Sequence, residues 1–364
     1  MLFRLGVKNS IDEFFNYRDE LNLFTEGLLD NITRLIVIKG IRRIGKSSLV
    51  RVGCNVSGVN CLFIDVRAYG FLSIDKFYDL LSRAFTEFVR TSSFSKRIID
   101  VLGRVRGISV SGTGLSIEIT DRRPSIIVDI LSSINRLAED EGLCIPVVFD
   151  EAQDLLFIRG FRRILAYIYD YLDNIKIVLA GSEVGLIDRL LGYRDPNSPL
   201  YGRAYLEIVL KRLPRDKSIE FLVSGFREQG YNISMEAITE AINNLDGVIG
   251  WLTYYGYYTL KYGHEKALEK TIADGSMIVA NELKHFLANR MQARERYKVL
   301  LKALEEPRTW SELKNILEMR IGRKIHPNQF TRYLKELESY GFIVKENNLY
   351  RIADPLIKHS LKHI

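Results

Sequence analysis

Cysteine and tryptophan are nearly absent, at three and two residues in 364, and no long hydrophobic run exists. Cys54, Cys61 and Cys144 are odd in number and lack the spacing of a metal site, which leaves them as buried thiols of a reducing cytosol. The richest apolar stretches are short and broken by charge, below the ~18 residues that a membrane span requires. The opening MLFRLGVKNSIDEFF has no apolar core ahead of a small-residue cleavage site, so no secretory leader is expected. Repeats and low-complexity segments are missing too. These absences predict a cytoplasmic chain with no membrane partner.

What is present is globular, at 47% hydrophobic and 27% charged residues. A chain of this length exceeds one ordinary core, so two or three domains are expected. The net charge of +7 is unevenly spread. Residues 294–364 hold fifteen Lys and Arg against nine Asp and Glu, a net +6. Such a region is either a footprint for phosphate backbones or a solvated surface.

Four β-branched runs, Leu35–Lys39, Cys61–Val66, Ile145–Phe149 and Ile175–Ala180, read as strands buried on both faces, with a fifth at Leu206–Leu210. Helical patterns at Ser47–Val52, Ile74–Arg90, Pro124–Glu141 and Phe161–Leu172 alternate with them. That alternation predicts an α/β fold with a parallel sheet flanked by helices. A hairpin turning at Ser-Gly-Thr-Gly interrupts the rhythm across Gly103–Thr120. After Pro214 helices follow one another at Arg215–Gln229, Ser234–Asn244, Gly250–Tyr262 and from Glu265 to about Arg294. Helices at Tyr297–Leu304, Trp310–Met319 and Pro327–Tyr340 come next, closed by strands Gly341–Lys345 and Leu349–Ile352. Asn347-Asn348 supplies a tight turn between those strands. This is the order of a winged helix.

Gly40-Ile41-Arg42-Arg43-Ile44-Gly45-Lys46-Ser47 is a complete G-x-x-x-x-G-K-[ST], following one strand and opening the next helix. In such a loop the backbone from Gly40 to Ser48 curls its N–H groups around phosphates, and the helix N-terminus adds positive potential. Lys46 is expected to bridge the β- and γ-phosphates, and the Ser47 hydroxyl to ligate Mg²⁺. The apolar run Ile145–Phe149 ends in Asp150-Glu151, the acidic pair of a Walker B strand. Asp150 is expected to hold Mg²⁺ and Glu151 to act as general base on the attacking water. That pair points to hydrolysis, and the lack of an Asn-Lys-x-Asp guanine-reading motif favours ATP. Ser182, after Ile175–Ala180, is either a γ-phosphate sensor or a helix N-cap, with Glu183 a second candidate. The divisions expected are residues 1–213 for the ATPase domain, 214–293 for a helical lid and 294–364 for the winged helix.

With these motifs in order, the chain resembles the archaeal ATPases of the STAND class, relatives of AAA+ and of origin-recognition ATPases. Phe15-Asn-Tyr-Arg18-Asp-Glu20 is similar to the family's F-x-x-R-x-x-E leading segment, which implies that Arg18 lies near the adenine. Gly40–Leu49 matches G-P-R-R-x-G-K-T-S-L, with Ile41 in place of proline. Phe149–Gln153 resembles its Walker B, Ala180-Gly181-Ser182 its sensor strand, and Ser198–Arg203 its P-L-x-G-R element. Asp246–Leu252 resembles the G-G-x-P-x-W/Y-L lid signature, with Ile249 where relatives have proline, and Asp354-Pro355 the closing D-P. The resemblance implies that Arg203 reaches the γ-phosphate in cis or from a neighbouring subunit; the alternative is an ordinary surface ion pair. Arg42 and Arg43 either hold phosphates or tie the loop to acidic neighbours.

In helix Pro327–Tyr340, Phe330, Leu334 and Leu337 share one buried face. Asn328, Gln329, Arg332, Lys335 and Glu336 are left facing out, a surface suited to duplex DNA. Arg320, Arg323, Lys324, Lys345 and Arg351 are further phosphate-contact candidates. The alternative is that this face docks on the ATPase domain. Three outputs are compatible: an ATP-driven conformational switch, an oligomeric DNA-processing ATPase, and a slow-hydrolysing scaffold whose winged helix binds protein.

Overall fold

A computed structural model describes residues 1–69, 73–111 and 116–364. After a short N-terminal segment and helix α1 (Arg18–Leu29), strand β1 (Leu35–Lys39) leads through the glycine loop into α2 (Lys46–Ser57) and then β2 (Leu62–Asp65). Helices α3 (Ile74–Thr91) and α4 (Ser95–Leu102) precede an antiparallel hairpin of β3 (Ile108–Val110) and β4 (Ile117–Ile119). The hairpin falls where the sequence places one; residues 112–115, which include the Gly-Thr-Gly of its turn, lie outside the described residues. Helix α5 (Ser125–Asp140), β5 (Ile145–Asp150), α6 (Phe161–Tyr171), β6 (Ile175–Gly181), α7 (Val184–Leu191) and β7 (Leu206–Val209) complete the alternation.

The main sheet is five-stranded in the order β2-β5-β6-β1-β7, and each neighbouring pair is parallel. Alternation along these strands divides their side chains between two cores. Leu35, Val37, Val147, Phe149, Ile177 and Leu179 pack with α3, α5 and α6. Ile36, Ile38, Val148, Val178 and Ala180 pack in one continuous core with α1, α2 and the C-terminal helices. Register brings Asp65 beside Asp150, Asp150 beside Ala180, and Lys39 beside Gly181. Four strands therefore end together at the carboxyl edge, where open α/β sheets bind ligands.

Four helices follow: α8 (Arg215–Glu228), α9 (Met235–Leu245), α10 (Ile249–Tyr262) and α11 (His264–Ala288). The long run expected to reach Arg294 ends at Ala288, and a turn separates it from α12 (Arg294–Ala303). Then come β8 (Arg308–Thr309), α13 (Trp310–Ile321), α14 (Pro327–Ser339), β9 (Ile343–Glu346), β10 (Leu349–Ile352) and the short α15 (Ile357–Ser360). Asn347 and Asn348 both take positive φ, 48° and 64°, and close the two-residue turn between β9 and β10. Strand β8 adds a third strand to this small sheet, too short at two residues to leave a sequence pattern. No helix among the described residues is long and apolar enough to cross a membrane.

The cysteine expectation needs correction. Cys54 and Cys61 form a disulfide across a separation of seven residues, and Cys144 is the remaining thiol. Gly58 caps α2 in the left-handed conformation at φ 68° and turns the chain back toward β2, which brings the two Cα atoms to 6.3 Å.

Candidate nucleotide site

The loop after β1 can turn so tightly because Gly45 adopts φ 102°, a left-handed conformation that side chains resist. Lys46 follows as the first residue of α2 and is 4% exposed. Its ammonium donates to the carbonyls of Gly40 (2.9 Å) and Ile41 (2.8 Å). Burial draws the Lys46 pKa down to about 8, while Glu151 and Asp150 oppose the fall. The Ile44 side chain is fully buried, so Ile44 meets the site only through its backbone.

The Ser47 hydroxyl donates to Asp150 Oδ2 at 2.5 Å. A hydroxyl and a carboxylate joined this way at the end of Walker B are a hard oxygen donor pair of the type Mg²⁺ prefers. Glu151, the next residue, is 6% exposed and sits at φ 53°, a strained conformation for a non-glycine residue. Its carboxylate accepts from the Ser182 hydroxyl (2.6 Å), the Ser182 backbone N–H (3.3 Å) and the Gln153 amide (2.7 Å). Burial alone would raise its pKa; the Lys46 charge and these hydrogen bonds win and hold it at about 2. Glu151 is thus a buried, ionised and clamped carboxylate. Ser182 is its clamp, and α7 begins instead behind Glu183 without a side-chain cap.

One cavity of about 400 Å³ joins these groups to an aromatic end. Gly45, Lys46, Ser47, Ser48, Arg67 and Glu151 line one side; Phe14, Phe15, Tyr17, Phe221 and Tyr254 line the other. Ser48 Oγ also accepts the backbone N–H of Lys8 at 3.0 Å, fastening the N-terminal segment over α2. The lid closes the third side. Gly250 N–H donates to the Arg43 carbonyl at 2.9 Å, and a β-carbon on Gly250 would stand 2.7 Å from the Arg43 β-carbon. Ile249 lines the cavity beside Gly250.

The family of MCM protein C-terminal winged helix-turn-helix domains matches residues 291–353. Among solved structures, the Walker-type ATPase PABY2304 of Pyrococcus abyssi is 31% identical, with 100% of each chain covered and a TM-score of 0.80. The chain belongs to this family of Walker-type ATPases. The Aeropyrum pernix ORC2 protein, in its ADPNP-ADP complexes, is 15% identical over 100% of this chain and 96% of its own, with a TM-score of 0.60, and shows a shared fold. No curated protein matches the chain.

In this Walker-type ATPase both P-loop arginines are tied to acidic partners, Arg42 outside the cavity and Arg43 on its lining. Arg42 pairs with Glu183 at 2.5 Å and donates to the Tyr340 carbonyl at 3.4 Å. Arg43 pairs with Glu282 of α11 at 2.5 Å and Asp354 at 3.2 Å, and lies over Trp251 at 4.4 Å. Asp354 also accepts from the Trp251 indole at 2.9 Å, so the closing Asp-Pro joins the P-loop to the lid.

Arg18 is exposed and lines a hollow with Lys217 and Glu220 that adjoins the aromatic end of the cavity through Phe14, Phe15 and Tyr17. Tyr17 itself packs beside Gly45, its ring carbon 4.0 Å from where a β-carbon would stand. Arg203 precedes β7, at the edge where the strands begin, while the P-loop lies where they end. Five residues of strand separate those edges by roughly 17 Å. Arg203 forms a bidentate pair with Asp170 and lies over Tyr169. Within one chain it cannot reach the loop. Arg203→Ala is expected to cost at most about 1 kcal/mol of stability, as partly exposed pairs do, and to leave nucleotide affinity unchanged. Thermal unfolding and titration calorimetry check both. Turnover lost in the variant but restored on mixing with Glu151→Gln protein would instead assign Arg203 to a neighbour's site.

In the winged helix, Asn328, Gln329, Arg332 and Lys335 face outward on α14, and Arg320, Arg323, Lys324 and Lys345 are exposed around it. Arg351 is half-buried and pairs with Glu346. Glu336 is a correction: it turns toward Arg290 at 3.3 Å and the Tyr297 hydroxyl, both contributed by neighbouring helical segments. The far end of α14 docks on α7 and the segment that leads into it. A β-carbon on Gly185 would meet Ser339 at 2.6 Å, and one on Gly341 would meet the Ser182 carbonyl at 2.9 Å. Outward basic face and docked end thus coexist on one helix.

Proposed function

We propose that the chain binds ATP with Mg²⁺, hydrolyses it, and uses the cycle as a STAND-type conformational switch whose output is duplex-DNA binding by the winged helix. Residues 1–213, 214–293 and 294–364 are the units that shift. The observation that carries this reading is the pair Arg42 and Arg43: two neighbouring P-loop residues whose charges are held by Glu183, Glu282 of the lid and Asp354 after the wing. Phosphates entering the loop change the field on both guanidiniums, and their partners on the other two units are biased with them. Mg²⁺ would be held by Ser47 and Asp150, where it neutralises phosphate charge. Lys46 donates to phosphate oxygens, and Glu151, once released from Ser182 and Gln153, takes a proton from water.

Duplex-DNA affinity measured with ATP, with ADP and without nucleotide tests the switch; identical affinities in all three states would remove it. Affinity is expected to fall with salt at a log–log slope of about −3 to −5, for four or five phosphates neutralised. Replacing Arg323 and Lys324 by Ala should flatten that slope by about two phosphates' worth, while Arg332→Ala should mainly change sequence preference. A winged helix that ignores duplex DNA at low salt favours a protein partner instead.

A further inference from the structure

Arg67 has the geometry that Arg42, Arg43 and Arg203 lack. It follows β2 in a single 3-10 turn, and the register of β2 on β5 sets Asp65 directly beside Asp150. The sheet order therefore carries Arg67 to the end of Walker B. Its guanidinium lies 3.2 Å from Asp65, 3.6 Å from Asp150 Oδ2 and 3.7 Å from Glu151 Oε1. It lines the cavity together with Lys46, Ser47 and Glu151. Only the Asp65 contacts are within hydrogen-bonding reach; those to the Walker B pair are looser ion contacts. The side chain is 50% exposed; Asp65 holds Nε and Nη2, and Nη1 has only the looser Glu151 contact.

We infer that Arg67 reads the γ-phosphate in cis. The inference rests on the cavity being the MgATP site. A divalent cation held by Ser47 and Asp150 brings positive charge against the guanidinium, since Ser47 and Arg67 share Asp150 Oδ2. Anionic oxygens between the two cations relieve that repulsion, and a guanidinium fork matches two phosphoryl oxygens. A triphosphate supplies those oxygens at the Glu151 end of the cavity; a diphosphate ends closer to Lys46. Asp65 holds both Nε and Nη2 at 3.2 Å; Nε stays as the anchor and Nη2 exchanges Asp65 for a phosphoryl oxygen as the fork turns.

Titration calorimetry in Mg²⁺ with a non-hydrolysable ATP analogue and with ADP tests this, on wild type, Arg67→Ala, Arg67→Lys and Lys46→Ala. Arg67→Ala should weaken the analogue by about ten- to a hundredfold, the range for a lost hydrogen bond to a charged group, and leave ADP within about twofold. Arg67→Lys should recover part of the loss, because charge remains without the fork. A residue that only props up Walker B would weaken both nucleotides equally, and that result overturns the inference, as does no change for either. Lys46→Ala should lose both ligands. If wild type binds neither nucleotide, the site reading itself has failed and takes the inference with it.

Discussion

Lys46→Ala is expected to remove tight nucleotide binding altogether. The ammonium is the one cation buried inside the loop: Arg42 and Arg43 are committed to Glu183, Glu282 and Asp354, and Arg67 stands at the Walker B end. Its hydrogens lie on two loop carbonyls, for which phosphate oxygens would be stronger, charged acceptors. Alanine leaves those carbonyls unpaired and Glu151 without the charge that stabilises its ionised form. A loss of at least about a hundredfold in affinity follows from two charge-assisted hydrogen bonds of about 1.5–3 kcal/mol each. Calorimetry with ATP and ADP measures it, and unchanged affinity would sink the P-loop assignment.

Glu151→Gln is expected to separate binding from turnover. The amide can keep a hydrogen bond from Ser182, so the strained backbone at this position and the shape of the cavity survive. What disappears is a group able to accept a proton from water, worth at least about 10²-fold in kcat. Nucleotide affinity should stay near that of the parent chain. Single-turnover hydrolysis against a binding titration distinguishes the two quantities, and a variant that hydrolyses at the parent rate would leave Glu151 a structural carboxylate. Ser182→Ala provides a graded comparison: it removes the 2.6 Å clamp without touching the carboxylate.

The motifs that could be read from the chain are those whose chemistry is local. The glycine loop, the apolar strand ending in Asp150-Glu151, and the Asn347-Asn348 turn each need only their neighbours in sequence. Arg67 was invisible for the opposite reason. Its role depends on β2 lying next to β5, and strand order is not written in any single strand. Arg42 and Arg43 left two readings open because their partners lie 141 to 311 residues away. Glu336 fits the outward pattern of α14 by periodicity alone; Arg290 and Tyr297, from segments packed beside it, turn it inward. Arg203 lies in a segment that resembles P-L-x-G-R, yet its position before β7 puts it at the opposite edge of the sheet. The cysteine pairing is not legible either, because an odd count leaves room for one bond, and the turn at Gly58 that brings Cys54 to Cys61 is a matter of fold.

The Cys54–Cys61 bond has a mechanical meaning for the loop more than a turn of helix away. It rivets the trailing half of α2 to the start of β2, and Arg51 stacked 3.7 Å over Phe63 reinforces the joint. The helix that begins with Lys46 is therefore a lever with its far end fixed. Under the switch proposed above, a push from phosphates would fall on the leading end, where Arg43 meets Gly250, because the far end is held against a slide of the whole helix.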